Sequence, residues 1–215
     1  MSDDLKNYEN KIVYFIIFNI ALFILINFDF QVILKNYELI SLILTIPILY
    51  FPIYVINNTL SEDHKFFILF PRKHNHHFAS DIFSRLRTNN IKNEKIDVDL
   101  IIDNHYFPKD FDEEDDLWYD IYLEHRYNKK VFEHHRQFLF SRDFTMLIFP
   151  FTALYLLFMN LIKIPLNNLW IICAITISEF IFFWWLTRHH NEKLVLVVLE
   201  EETYKLKKNE KRKIY

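Results

Sequence analysis

Glycine is missing altogether from these 215 residues, and cysteine occurs once, at Cys173. Without glycine there is no Walker loop and no Rossmann fingerprint, so phosphate cradles of those kinds are excluded. Positions that want positive φ must fall to asparagine, and the pairs Asn57-Asn58, Asn89-Asn90 and Asn167-Asn168 stand at candidate turns. One cysteine allows neither an internal disulfide nor a thiolate metal site. A basic excess is lacking too: the net charge is −3 and the pI about 6.4, which gives no general pull toward nucleic acid. Nor does an A-x-A-type cleavage site follow the first apolar run, so that run reads as an uncleaved span.

What the chain has in abundance is apolar length. Four runs of 17 to 20 residues, Ile12–Phe28, Tyr37–Ile56, Phe144–Ile162 and Leu169–Leu186, each suit a helix of roughly 26–30 Å, the thickness of a bilayer's hydrocarbon core. The mean hydropathy of +0.02 conceals them by averaging in a polar insert. Lysine and arginine are distributed unevenly: 13 in residues 57–143 and eight in 187–215, against one each in 29–36 and 163–168. By the positive-inside rule the insert and both termini face the cytoplasm of a bacterial inner membrane. Tyr14, Tyr50, Tyr54, Trp170, Trp184 and Trp185 near the run ends suit aromatic belts, and Pro47 and Pro52 predict a kink in the second run.

The resulting fold class is a mainly α membrane protein, with four transmembrane helices and a small cytoplasmic α/β domain between helices 2 and 3. Its parts are an N-terminal transmembrane hairpin (1–56), a cytoplasmic domain (57–143), a C-terminal hairpin (144–186) and a basic cytoplasmic tail (187–215). Within the insert His64–Phe70 and Ile96–Leu100 read as strands and His74–Arg87 as an amphipathic helix, while Leu194–Leu199 in the tail reads as a third strand or a continuation of the fourth span, β-branching favouring the strand. From Leu117 one unbroken helix is expected to run into the third span. The expected domain core is Phe66, Ile68, Phe78, Ile82, Phe83, Val98 and Leu100, with Trp118 and Tyr122 packed against it. The acidic run Asp110–Asp116 lacks calcium-loop spacing and reads as a solvated linker.

Ten histidines invite a metal reading, notably His74/His76/His77, His134/His135 and His189/His190. In number and sidedness they resemble the histidines of membrane di-metal desaturases and hydroxylases. The spacings are H-x-H-H and bare H-H pairs, however, and adjacent helical residues diverge by about 100°, so solvated or headgroup-facing histidines are the preferred reading and no cofactor is implied. Arg72 and His77 fit the R-x4-H pattern that resembles HEPN ribonucleases, whose Arg and His cleave RNA by acid–base chemistry. With eight arginines and ten histidines, about one match to the wider R-x4-6-H pattern is expected by chance. Arg72, Lys73, Arg85 and Arg87 would otherwise meet anionic lipid headgroups or a partner. Glu179 stands ten residues past Leu169, near mid-span, where an acid is costly and faces a bundle interior or an aqueous path; Asn19 of the first run is its expected partner.

The layout of apolar runs flanking a charged insert, with Val131-Phe132-Glu133-His134-His135-Arg136 and Ser141-Arg142-Asp143 leading into the third run, resembles small four-span proteins of bacterial antiviral loci. These include membrane accessory proteins of type VI-B CRISPR loci and pore-type effectors. The resemblance implies a defence accessory or effector: an oligomeric membrane protein whose cytoplasmic domain docks or senses a protein, nucleotide or RNA and alters permeability. The alternatives are a membrane-bound enzyme, either a HEPN-like RNase or a His-cluster oxidoreductase, and a structural docking protein.

Overall fold

The computed structural model describes residues 9–27, 52, 55, 59–70, 78–88, 93–161 and 168–214. Among them every element is helical: α1 (Glu9–Asn27), α2 (Glu62–Leu69), a 3-10 turn (Phe78–Asp81) leading into α3 (Ile82–Arg87), α4 (Val98–Asn104), α5 (Phe111–His125), α6 (Lys129–Leu161) and α7 (Leu169–Ile214). They divide into two units. One comprises residues up to Lys65 together with Phe140–Leu186, the other Phe66–Leu139 together with residues from Thr187 onward.

In the first unit α1, the apolar part of α6 and the first half of α7 pack side by side. Phe15 meets Phe144, and Phe23 meets Phe151 and Tyr155, at ring separations of 4.9, 5.9 and 5.1 Å, so α1 and α6 run in the same direction. Phe144 with Phe183, Phe149 with Phe180 and Thr152 with Thr176 pair α6 with α7 in the opposite sense. Asn168 Nδ2 donates to the Ile26 carbonyl at 2.6 Å, which ties the start of α7 to the end of α1. At the other end three charged side chains are almost wholly buried. Asp143 accepts from Arg142 Nε at 3.1 Å and from Lys65 Nζ at 3.4 Å.

Among the described residues two helices, α6 and α7, are long and apolar enough to cross a membrane. Half of the apolar stretch of α6 is buried against its neighbours, but only 11% of that of α7. Trp170, Ile177, Ile181, Phe182 and Trp185 stand exposed on α7, as do Tyr14, Ile17, Phe18 and Leu25 on α1. Helices apolar all round belong in an apolar surrounding, and this unit covers too little of them to supply one itself. The expectation of four spans is corrected to these two. Residues 12–27 of the first run lie in α1, whose apolar stretch, Lys11–Ile26, is shorter, and Tyr37–Ile56 lies almost wholly outside the described residues, as does the kink expected there.

The α/β insert is corrected as well, since no strand occurs among the described residues. Each expected strand contains a helix signal that outweighs its short alternation. Ser61 Oγ accepts from the His64 N–H at 3.3 Å and starts α2. Asp97 accepts from the Leu100 N–H at 3.3 Å and caps α4. Leu194–Leu199 continues α7, where Leu194, Val195, Val197, Val198 and Leu199 are buried on almost every face, which erases helical periodicity.

The single helix expected from Leu117 is two. Asn128 breaks it: its Oδ1 accepts from the Lys130 N–H at 2.9 Å and opens α6. The acidic run is no linker but the first turns of α5. Asp110 caps it, accepting from the Asp112 and Glu113 N–H groups at 3.1 and 2.9 Å, where acids complement the helix dipole. Glu114 turns inward, buried, and accepts from the Phe83 and Ser84 N–H groups at 2.9 and 3.2 Å and from Ser84 Oγ, capping α3 from a neighbouring helix. Of the expected core, Ile82, Phe83 and Trp118 are buried, and Trp118 Nε1 donates to the Val195 carbonyl at 3.3 Å. Ile68 is exposed, while Val98, Leu100 and Tyr122 are half-buried. The side chains of Phe66 and Phe78 lie outside the description.

Candidate functional site at Glu179

The apolar unit holds a short seam of polar side chains. Glu179 follows Leu169 by ten residues, so it sits about 15 Å along a stretch of roughly 27 Å. Thr176, one turn earlier on the same face, is buried and shares a 3.1 Å hydrogen bond with Thr152 of α6. Each hydroxyl also lies within reach of the carbonyl four residues earlier, Ile172 at 2.9 Å and Ile148 at 3.0 Å, so one threonine donates to its own carbonyl and accepts from the other, and both are satisfied without solvent.

Asn19 completes the seam from α1. It is fully buried, and Nδ2 donates to the Phe15 carbonyl at 3.2 Å while the amide approaches the Glu179 carboxyl. Its Oδ1 has no hydrogen-bond partner among the described residues. A buried amide oxygen left bare costs about 1–3 kcal/mol, and a protonated Glu179 is the group at hand that can donate to it. The amide can serve the carboxyl in either form: a neutral one donates to Asn19 Oδ1, and an ionised one accepts from the Asn19 amide but needs a further cation or water to offset its burial. The residues expected from the sequence as an intramembrane pair are brought together here.

The remaining candidates lie elsewhere. Arg72, Lys73, His74, His76 and His77 are outside the described residues, and with them both members of the R-x4-H pattern. Arg85 pairs with Asp81 at 3.7 Å, and Arg87 lies 3.5 Å from Asp99 and over the Phe107 ring. His135 Nδ1 meets the Tyr122 hydroxyl at 2.7 Å, with the two rings edge to face. His190 donates from Nδ1 to the Gln137 carbonyl at 3.1 Å, and its ring lies 6.3 Å from that of His189. His134 has Nδ1 buried without a partner among the described residues. Both His134 and His190, beyond the apolar stretches, are pushed below the usual imidazole range, first by burial and then by nearby cations such as Lys193. None of His134, His135, His189 and His190 joins a set of three ligands among the described residues; that set forms at Glu124, His125 and Glu202, which spacing did not single out. No protein-family model matches the chain, and neither a curated protein nor a solved structure does.

Proposed function

We propose that this chain is an oligomeric, multi-pass inner-membrane protein whose polar helical unit docks or senses a cytoplasmic partner, and whose apolar unit changes membrane permeability. The observation that carries this reading is the mid-stretch Glu179 facing the buried Asn19, whose oxygen has no hydrogen-bond partner among the described residues. Intramembrane acids mark ion and proton paths far more often than they serve as simple struts. Oligomerisation follows from size: three packed helices cannot enclose an aqueous path, whereas the bare side of α7 offers Ile177, Ile181 and Trp185 to lipid or to a second copy. The excess of cations in the polar segments favours a cytoplasmic polar unit.

Ion flux into liposomes bearing purified protein tests the proposal. Glu179→Gln keeps shape and hydrogen bonding but removes the ionisable group, so it should assemble normally and lose flux. Glu179→Leu should lose flux and also loosen the assembly on size exclusion. Wild-type flux in Glu179→Gln would leave the residue a purely structural role.

A further inference from the structure

The second unit buries a carboxylate of its own. Glu202, on the polar half of α7, has no side-chain exposure at all. His105, which follows α4, brings Nε2 to 3.0 Å from one Glu202 oxygen, and His125, the last residue of α5, brings Nε2 to 2.6 Å from the other. Lys205, one turn further along α7, holds Nζ 3.1 Å from the second oxygen and also pairs with Glu124. Burial alone would raise the Glu202 carboxyl, but hydrogen bonds from His125, His105 and Lys205 outweigh it and hold the group at about 2. One ligand atom each from Glu124, His125 and Glu202 lies within 4.8 Å of the others.

The geometry points to a binding site for a divalent transition ion of the zinc class, held by Glu124, His125 and Glu202 with His105 as the fourth ligand. Two imidazoles and two carboxylates suit a borderline ion, whereas calcium and magnesium take oxygen sets. A tetrahedral ion with bonds of about 2.0–2.2 Å sets its ligand atoms roughly 3.3–3.6 Å apart, so the His105–Glu202 and His125–Glu202 pairs need to open, and the wider separations of up to 4.8 Å to close, each by about an ångström. Charge agrees: two carboxylates face one ammonium, and a dication would neutralise both and release Lys205 to solvent. Lys205 is therefore the built-in competitor of the ion. Once bound, the ion would join the end of α4, the end of α5 and the polar half of α7 at one point. No short-range motif announces the site, because its histidines stand alone in the sequence and its glutamates come from distant helices.

Zinc titration of the chelator-stripped, full-length protein in detergent, followed by calorimetry and by thermal melting, tests this site. The expected result is one zinc per chain and a raised melting midpoint in the wild type. His125→Gln should weaken binding roughly tenfold or more and lose the thermal shift. Lys205→Met, a change at the half-exposed rim that need not disturb the fold, should tighten binding by a similar factor. Absence of stoichiometric zinc in both the wild type and Lys205→Met would overturn the site. So would binding that survives His125→Gln but is lost in His134→Gln, which would place the ion at the other histidines.

Discussion

Asp115 illustrates how far local packing moves a single group. It sits in the first turns of α5, and burial, reinforced by Asp116 and Asp112, raises its carboxyl to about 6. A folded-state value above the unfolded one means that the charged form opposes folding. The penalty is absent below the unfolded value, grows as pH rises toward 6, and is constant above. Asp115→Asn should thus raise stability by about 1–3 kcal/mol at pH 7 and leave it nearly unchanged at pH 4, as read from melting at the two pH values. A pH-independent difference would show that charge is not the cause. Asp143 is instead a buried carboxylate held between Lys65 and Arg142. Asp143→Asn removes the negative charge that both buried cations share and should cost about 3–5 kcal/mol, enough to lower the yield of monodisperse protein sharply. An unaltered melting midpoint would mean that solvent reaches these cations.

The elements follow from caps more than from periodicity. Ser61, Asp97, Asp110 and Asn128 each accept a backbone N–H at a helix start, and each is visible in the sequence as a residue that prefers that place. Reading the alternation of Ile96–Leu100 as a strand set five residues of pattern against one cap, and the cap prevailed. Leu194–Leu199 left strand and continued helix both open, because a helix buried on nearly every side has no polar face to mark its period, and the continued helix is the one that forms. Apolar length was legible in Phe144–Ile162 and Leu169–Leu186, and the Asn19–Glu179 pairing was legible from depth alone. The Glu202 cluster was not, since only the tertiary fold brings His105 and His125 to it. Glu114 was equally hidden, read as one acid among six when it pins α3. Glu114→Ala should cost about 2–4 kcal/mol by baring two backbone N–H groups and a hydroxyl, with Glu114→Gln recovering part of it. Equal melting midpoints for Glu114→Ala and the wild type would refute the cap.

At the scale of the molecule, α6 and α7 contribute residues to both units: an apolar one fit for lipid, with the buried Lys65, Arg142 and Asp143 at one end, and a polar one of capped helices around Glu202. The central claim is that the apolar stretch of α7 lies in a bilayer, with the side bearing Ile177 toward lipid and Glu179 toward a polar path. Single-cysteine variants in a Cys173→Ser background test both halves at once in native membranes. A small, charged, membrane-impermeant thiol reagent should label Glu179→Cys, and label Ile177→Cys only after detergent is added. Rapid labelling of both before detergent would contradict membrane burial, and failure to label Glu179→Cys would contradict the polar path.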